Sequence, residues 1–200
     1  CLRGIGRAVT ELFVRQGADV IAFCEYETEE WNTFSEDLRR STGREIRPVY
    51  CDFYSEEAVL KAVETVRRWK LPIDLLVNVA GIKEDALFFM ILPETMKHTF
   101  QVNFFSPMLL TQYIAKLMLR NPKEGKGIIN VSSMIGMDGN VGQVSYAASK
   151  AALIAATKCL SAELAPQGIR VNAVAPGVID TAMIADIPQD KLDALLGRAK

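Results

Sequence analysis

Two patterns of hydrophobic and polar positions alternate along this chain. Short, nearly continuous apolar segments lie at residues 17–24, where a helix exit leads into a strand, and at residues 47–52, 73–78, 127–132 and 169–174. Runs of this length are typical of strands that are buried on both faces, as in a parallel sheet. Longer stretches with helical spacing separate them, at residues 6–16, 28–41, 56–70, 94–119 and 146–165. The alternation predicts an α/β fold with a doubly wound parallel sheet.

The organisation of the chain predicts one domain over residues 1–200, because no repeat, low-complexity tract or linker interrupts the pattern. The sequence opens on residues that lead into a helix, without the strand that should precede them. A parallel sheet without its first strand would leave ladder groups unpaired on two neighbours. We therefore expect the sequence to be truncated at its start and, for lack of a closing strand, also after Met183.

Composition and charge exclude several classes of protein. Half of the 200 residues are apolar, 24% are charged and the formal net charge is −1, which offers no electrostatic reason to bind nucleic acid or an anionic membrane. No apolar run approaches the ~20 residues of a membrane span, and no signal peptide is recognisable. The four cysteines form no CxxC pair and the chain has one histidine, so we expect no metal site and a cytoplasmic protein with reduced thiols.

Candidate ligand-binding residues lie at the ends of predicted strands. Gly4 and Gly6 precede an amphipathic helix, where backbone N–H groups could bind a pyrophosphate. The same glycines also suit a purely structural turn. Asp52 could accept a hydrogen bond from an adenine amino group or could cap the following helix. The segment from Asn78 to Gly81 follows a strand at the edge where ligands bind in such folds, but a tight turn would explain it equally well.

A candidate catalytic group lies in the last predicted helix. Tyr146 and Lys150 are four positions apart, so both side chains project from one helix face. A free phenol has a pKa of about 10, and a nearby ammonium favours the phenolate and lowers that pKa. Ser133, at the end of a strand, could bind a substrate oxygen. The spacing of the Tyr–Lys pair is weak by itself, but the surrounding small residues would allow a ligand to approach closely.

These motifs, taken in order, resemble the short-chain dehydrogenase/reductase family over essentially the whole chain. The matching residues are Gly4-Ile5-Gly6, Asn78-Val79-Ala80-Gly81, Asn103, Ser133, Tyr146-Ala147-Ala148-Ser149-Lys150 and Pro176-Gly177. Within the family the chain looks most similar to the 3-oxoacyl-(acyl-carrier-protein) reductases, particularly at residues 139–146 and 176–181. The resemblance implies a Rossmann-like fold.

The resemblance also implies roles for individual residues. Tyr146 would be the general acid, Lys150 would lower the pKa of Tyr146 and bind the nicotinamide ribose, and Ser133 would position the substrate carbonyl. Asn103 would hold a water of the proton relay. The residues expected to bind NADP(H) or NAD(H) are Arg3, Gly4, Ile5, Glu25, Asp52, Phe53, Asn78, Ala80, Gly81, Tyr146, Lys150, Pro176, Gly177 and Ile179.

Several positions depart from the family pattern. The Thr-Gly that should precede Cys1 is absent, and Val79 replaces the second asparagine of Asn-Asn-Ala-Gly. Gln167 stands where acyl-carrier reductases often have a basic residue, which weakens the assignment of an acyl-carrier substrate. Glu25 follows the first strand of this chain and favours NADH, whereas the family favours NADPH and Arg3 could bind a 2′-phosphate. The choice of cofactor therefore stays open.

The function predicted from these observations is reduction of a ketone, most plausibly a 3-oxoacyl thioester carried on acyl carrier protein or coenzyme A, in fatty acid biosynthesis. An alcohol, sugar or hydroxysteroid dehydrogenase of the same family is an alternative, as is a nucleotide-binding pseudoenzyme that acts as a regulatory subunit. The family and two long apolar helices predict a homotetramer. Substrate choice is expected to depend mainly on the region from Thr181 onward, a mobile lid in this family.

Overall fold

Each of the five apolar segments forms a parallel β-strand in the computed structural model, which describes residues 1–181. The Cα atoms group into two units, Cys1–Trp69 and the chain from Lys70 onward. The strands form two sheets, with strand order β1-β2 in the first unit and β3-β4-β5 in the second. The predicted α/β class with parallel strands is confirmed.

The first unit alternates helices and strands. Its elements are α1 (Gly4–Arg15), β1 (Val20–Cys24), α2 (Glu29–Thr42), β2 (Ile46–Tyr50) and α3 (Glu56–Trp69). β1 and β2 pair with Val20 opposite Ile46. The buried side chains of Val14, Ala22, Trp31, Leu38 and Ile46 form its core together with Cys24, which explains why these segments read as apolar in the sequence.

Local sequence signals set the ends of α2. The Thr28 hydroxyl accepts a hydrogen bond from the backbone N–H of Trp31 at 3.1 Å, and so caps the first turn. Gly43 ends the helix in the left-handed conformation, with φ of 66°, which a glycine adopts without steric penalty. Capping residues at both ends therefore account for the observed length of this helix.

The second unit contains the remaining strands. Its elements are β3 (Leu75–Asn78), α4 (Pro93–Phe100), α5 (Ser106–Met118), β4 (Lys126–Val131), α6 (Ile135–Asp138), α7 (Val144–Leu164) and β5 (Ile169–Val174). β4 lies between β3 and β5, with Leu76 opposite Ile128 and Ile128 opposite Val171. All three of these side chains are buried, so the middle of this sheet forms the core of the unit.

Several predicted boundaries were wrong. The single helix expected at residues 94–119 is divided by a π-helical turn, Gln101–Phe105, between α4 and α5. The third strand begins at Leu75 rather than at residue 73, and α7 begins at Val144, before the predicted start. The short helix α6 and the 3₁₀ turns at Phe88–Met90 and Ala165–Gln167 were not predicted. The extent of the single domain, residues 1–200, stays a prediction.

Within residues 1–181, no helix is both long enough and apolar enough to cross a membrane. The same residues contain no group of three or more His, Cys, Asp or Glu side chains that could hold a metal ion. All four cysteines are free.

Candidate active site

The predicted catalytic side chains of the second unit meet at the carboxyl end of β4. Ser133 lies just beyond that strand, is 8% exposed, and accepts a hydrogen bond from the backbone N–H of Ile135 at 3.2 Å. The Ser133 hydroxyl lies close enough to the Tyr146 phenol to lower the pKa of that phenol. The Nζ atom of Lys150 lies 5.9 Å from the centre of the Tyr146 ring. The structure thus places the three predicted residues near one another, and their catalytic roles stay a prediction.

Burial dominates the acidity of Tyr146. Loss of hydration raises the pKa of the phenol above its usual value, the Ser133 hydroxyl lowers it, and the nearby carboxylate of Asp85 raises it further. The net direction is upward. The expectation that Lys150 pulls this pKa down is thus not met in this structure, in which the Tyr146 phenol is kept protonated at neutral pH.

The position of Lys150 explains this difference. Its Nζ atom donates a hydrogen bond to the backbone oxygen of Val131 at 2.9 Å, and the side chain is only 3% exposed. Burial lowers the pKa of Lys150 to about 8, because the charged form loses hydration that a single carbonyl does not replace. The Lys150 ammonium donates to the Val131 carbonyl of β4 and stands 5.9 Å from the centre of the Tyr146 ring.

Asn103 lies in the π-helical turn between α4 and α5 and is completely buried. Its Oδ1 atom accepts from the N–H of Ile82 at 2.8 Å, and its Nδ2 atom donates to the Ile82 carbonyl at 2.9 Å and to the Ser149 hydroxyl at 3.0 Å. π-helical turns are rare and frequently occur at functional sites. Asn103 therefore fastens the segment after β3 to the helix that carries Tyr146 and Lys150.

Gly81 packs closely against the side chains of Lys150 and Asn103. A Cβ atom at this position would lie 3.0 Å from Lys150 Nζ and 3.5 Å from Asn103 Oδ1. A side chain here would therefore displace the lysine or fill the space next to it. Ala80 is half-buried and precedes this glycine. A glycine that keeps the backbone free of a side chain beside Lys150 fits the predicted close approach of a cofactor to the backbone.

The side chain of Asn78 forms hydrogen bonds to a neighbouring helix and a neighbouring strand. Its Nδ2 atom donates at 2.8 Å to the hydroxyl of Thr111 on α5 and at 2.8 Å to Oδ1 of Asn130 on β4. Asn130 in turn donates to the Thr157 hydroxyl of α7 at 2.9 Å. This buried chain of polar groups fixes two helices against two strands, and it uses the amide nitrogen of Asn78 within the protein.

Two contacts that the sequence did not reveal hold α7 at the site. The Ser132 hydroxyl donates to the backbone oxygen of Lys150 at 2.8 Å. Gly136 of α6 lies so close to α7 that an added Cβ would be 2.8 Å from the carbonyl carbon of Lys150. The available sequence signals were a serine directly before Ser133 and a glycine shortly after it, and neither suggests a helix contact by itself.

The segment after β5 runs beside the end of β4. The backbone N–H of Met134 donates to the Pro176 carbonyl at 3.0 Å, which places Pro176 next to Ser133 in the chain fold. Gly177 is exposed, and Ile179 is 44% exposed and so can reach a ligand. The predicted substrate region continues from Thr181 and lies almost entirely outside the described residues.

The predicted phosphate-binding residues lie at the start of α1 in the first unit. Arg3 is the N-cap residue, with φ of −151° and no side-chain capping hydrogen bond, and both Arg3 and Gly4 are exposed. Gly4 adopts φ of 53°, and Ile5 is half-buried. A helix start without a side-chain cap leaves N–H groups for an anion, and this fits the pyrophosphate predicted from the sequence.

The other predicted cofactor residues of the first unit follow its strands. Glu25 is exposed directly after β1, and Asp52 is exposed and Phe53 half-buried after β2. Asp52 does not cap α3: its carboxylate accepts from the N–H of Tyr54 at 2.8 Å. The N–H of Ala58 instead donates to the Ser55 hydroxyl at 3.1 Å. Asp52 thus stabilises the turn before α3, and the capping interpretation was wrong.

Comparisons of the sequence with known proteins agree with this geometry. The sequence pattern of the family described as short chain dehydrogenase matches residues 1–192. The chain is 38% identical over 188 residues to a 3-oxoacyl-(acyl-carrier-protein) reductase of Aquifex aeolicus, covering 94% of this chain and 75% of the relative. A reductase of the same name from Thermotoga maritima is 37% identical and covers 98% and 78%, respectively. Carbonyl reductase family member 4 of Danio rerio is 35% identical, with coverage of 94% and 76%.

A solved structure gives the same result for the fold. A protein of Sinorhizobium meliloti 1021 assigned as a short-chain alcohol dehydrogenase superposes with a TM-score of 0.85 at 28% identity, covering 94% of this chain and 73% of that one. The prediction of NADP(H) or NAD(H) as cofactor is confirmed at the level of the family. With a family pattern over nearly its whole length and relatives above 30% identity, the chain belongs to the short-chain dehydrogenase/reductase family and is an oxidoreductase.

Proposed function

We propose that the protein reduces the ketone of a 3-oxoacyl thioester to a secondary alcohol, with Tyr146 as the general acid. The observation that carries the proposal is the grouping of the buried Ser133, just beyond β4, with Tyr146 and a buried lysine whose Nζ lies 5.9 Å from the centre of the tyrosine ring. A carbonyl oxygen that accepts hydrogen bonds from both hydroxyls would be held at the proton donor. Such placement of an acid within hydrogen-bonding reach is the first requirement of general acid catalysis.

The raised pKa of Tyr146 suits reduction rather than oxidation. A general acid must carry its proton when the substrate binds, and burial keeps the phenol protonated at neutral pH. As the carbonyl oxygen gains negative charge, Tyr146 donates its proton to that oxygen and becomes a phenolate. The Ser133 hydroxyl stabilises the same oxygen by a hydrogen bond. Oxidation of an alcohol requires the phenolate form instead, and we expect it to need a more alkaline pH.

Lys150 stabilises the product state of this proton transfer. Its ammonium is positive below a pKa of about 8, and it lies close to the backbone of Gly81. A buried positive charge acts on a developing phenolate with little screening by water. Asn103, which is fixed to Ile82 and Ser149, would hold a water of the relay that returns a proton to Tyr146.

The cofactor, NADP(H) or NAD(H), supplies the hydride when it is bound. In the second unit the residues that would hold it are Asn78 through its backbone, Ala80, Gly81, Tyr146, Lys150, Pro176, Gly177 and Ile179. In the first unit they are Arg3, Gly4, Ile5, Glu25, Asp52 and Phe53. The uncapped start of α1 and the close approach of the Gly81 backbone to Lys150 support these two assignments.

The names of the relatives support a 3-oxoacyl thioester as the substrate, in a step of fatty acid biosynthesis. Whether the acyl group is carried on acyl carrier protein or on coenzyme A depends on the surface of the enzyme. Gln167 is exposed and uncharged, so it offers no ionic contact to an acidic carrier protein. We further propose that the protein is cytoplasmic, which four free thiols support, and that it is a homotetramer.

The proposal is tested by following NADPH and NADH oxidation with a panel of carbonyl compounds. The panel contains a 3-oxoacyl thioester of coenzyme A, the same acyl group on acyl carrier protein, and an unactivated ketone. We expect the thioesters to give the highest kcat/KM. Turnover only with sugars, hydroxysteroids or simple alcohols would replace the substrate assignment, and cofactor binding without turnover of any compound would instead support a pseudoenzyme.

A further inference from the structure

The segment that follows the Gly81 turn is fastened at both of its ends. Residues 82–86, here called the strap, begin at Ile82, whose N–H and carbonyl both bond to the side chain of Asn103. At the other end the N–H of Ala86 donates to the Gly142 carbonyl at 2.9 Å. The strap thus joins the π-helical turn that contains Asn103 to the turn that precedes α7.

A side-chain contact reinforces the second end of the strap. Nε2 of Gln143 donates to one carboxylate oxygen of Asp85 at 2.9 Å, and Nζ of Lys83 contacts the other oxygen at 3.2 Å. The Oε1 atom of Gln143 accepts from Nδ2 of Asn140 at 3.0 Å. Both ends of the Gln143 amide are therefore occupied, which fixes the orientation of this side chain.

Gln143 controls the start of the helix that carries Tyr146. It is the N-cap residue of α7, and its carbonyl accepts from the N–H of Ala147 at 2.7 Å. Its side chain makes no capping bond to the first turn, because the amide is used by Asn140 and Asp85. Tyr146 follows three residues later, at a spacing that lies along one side of a helix.

We propose that Asp85 is a positioning residue of the site: through Gln143 it sets the first turn of α7, and its carboxylate sets the charge facing Tyr146. This inference rests on the proposed function, because it assigns a task within that reaction. The strap, Gln143 and Tyr146 form one connected path of hydrogen bonds and helix geometry. Asp85 itself is half-exposed, with 43% of its side chain accessible, and makes no direct contact that would make it a catalytic residue.

The charged groups around Tyr146 in the described part of the chain determine the sign of the effect. Asp85 faces the phenol from the strap, Lys83 pairs with Asp85, and Lys150 approaches from α7 itself. Ser133, between β4 and α6, is uncharged. A negative charge near a phenol disfavours the phenolate, so removal of the Asp85 charge should ease deprotonation of Tyr146. Without the Asp85 charge, Lys83 would lose its ionic partner, and its positive charge would also favour the phenolate of Tyr146.

Three variants separate the positional effect from the charge effect. Asp85→Asn removes the negative charge and keeps an oxygen that can accept from Gln143. Gln143→Leu removes the amide and keeps the charge of Asp85. Asp138→Asn, which neutralises an exposed carboxylate on α6, is the matched control. The rate of alcohol oxidation is measured against pH, with kcat and KM determined separately for the cofactor. Hydrogen exchange of peptides covering residues 83–92 and 139–147 reports on the strap without any need for activity.

We expect Asp85→Asn to move the alkaline rise of alcohol oxidation to lower pH by about 0.3–0.5 unit, the size of a screened single-charge effect. Gln143→Leu should lower kcat by about 10- to 100-fold, as small misplacements of a catalytic group do, without moving that rise or the KM of the cofactor. It should also speed exchange in both peptides. Asp138→Asn should match the wild type in every measurement.

The inference is overturned if the pH profile of Asp85→Asn matches that of wild type, or if Gln143→Leu leaves both kcat and exchange in the two peptides unchanged. A kcat loss in Gln143→Leu that accompanies a general fall in Tm, with fast exchange throughout the second unit, would also overturn it. Failure of the wild type to turn over any carbonyl or alcohol contradicts the proposed function instead. The exchange data then still decide whether Asp85 and Gln143 hold the start of α7.

Discussion

The burial of Lys150, the lysine of the proposed site, opposes the stability of the fold. The side chain is almost fully buried, and burial lowers its pKa to about 8 from an ordinary value of 10.5. Among residues 1–181 its ammonium has one hydrogen bond, to the Val131 carbonyl. Charged groups with so few partners destabilise the folded state at neutral pH. The arrangement is reasonable only where the positive charge is required, as next to a tyrosine that must release its proton.

This argument predicts that Lys150→Met is inactive but more stable than wild type at pH 7, by about 1–3 kcal/mol. Below pH 8 both folded and unfolded wild-type chains carry the charge, so the full burial penalty is present. Between pH 8 and 10.5 the folded state binds fewer protons than the unfolded state, and wild-type stability rises. The difference in the free energy of unfolding between Lys150→Met and wild type should therefore decrease as the pH rises through that range.

Urea unfolding at several pH values measures this difference. Lys158→Met, at an exposed position on the same helix, is the matched control and should change stability little. A Lys150→Met protein that is less stable than wild type at pH 7 would show that the Val131 hydrogen bond outweighs the cost of burying the charge.

The choice between NADPH and NADH also belongs to individual residues. Glu25 and Arg3 are both exposed in the first unit. A carboxylate at Glu25 would repel a 2′-phosphate, and a guanidinium at Arg3 would bind it. Glu25→Thr should raise the preference for NADPH by roughly tenfold, equivalent to about 1.4 kcal/mol, whereas Arg3→Ala should weaken NADPH selectively. The measurement is kcat/KM with NADPH divided by kcat/KM with NADH, in wild type and in each variant. An unchanged ratio in both variants would mean that neither residue recognises the 2′-phosphate.

At the scale of elements, α6 and α7 approach so closely beside the site that their contact leaves no room for a side chain at Gly136. Nothing larger than a hydrogen atom fits on the Cα of Gly136, because a Cβ would lie 2.8 Å from the Lys150 carbonyl carbon and 2.9 Å from the nitrogen of Ala151. Both neighbours are helix backbone, which cannot move away as the end of a flexible side chain can. The contact therefore sets how Ser133, just before α6, faces Tyr146.

Gly136→Ala should separate the two helices, destabilise the protein by about 1–3 kcal/mol as overpacking does, and reduce kcat more than it changes the KM of the cofactor. Met137→Ala, at the next and exposed position of α6, is the control and should have little effect on either quantity. Thermal unfolding and steady-state kinetics give the two readouts. Unchanged kcat in Gly136→Ala would show that the spacing of α6 and α7 does not position the site.

Periodicity predicted the elements well where burial follows a regular pattern. The strands beginning at Val20 and Ile169 were expected because apolar side chains continue along them, and all five long helices were expected from their spacing. The π-helical turn at Gln101–Phe105 could not be predicted, because one extra residue per turn leaves no separate composition signal. The Asp85–Gln143 contact was missed for a different reason: it joins residues 58 positions apart, and only the fold brings them together.

The candidate site itself could be predicted because its chemistry is concentrated in short motifs. Ser133, Tyr146 and Lys150 were named from the sequence, and the structure joins them at one sheet edge. The direction of the Tyr146 pKa could not be predicted in the same way. This direction depends on how far burial dehydrates the phenol and on which group accepts the hydrogen bond from the Lys150 ammonium. Both are properties of the packed structure.

At the scale of the whole molecule, the exposed apolar side chains favour self-association. Phe105, at the junction with α5, is 51% exposed, and Phe89 is 99% exposed. Large apolar groups in such positions commonly mark protein interfaces. We expect a homo-oligomer, most simply a tetramer, and light scattering at micromolar concentration measures its mass directly. A stable monomer under these conditions would contradict this prediction, and Phe105→Glu should shift the equilibrium toward smaller species.

The central claim is that Tyr146 donates the proton during carbonyl reduction, and Tyr146→Phe tests it most directly. The variant keeps the ring but loses the hydroxyl that would donate the proton. Steady-state reduction of the best carbonyl substrate should fall by about 10²–10⁴-fold, the usual contribution of a general acid, while the affinity for the reduced cofactor stays near the wild-type value. Tyr113→Phe, on α5, should retain full turnover. Wild-type turnover in Tyr146→Phe would contradict the account.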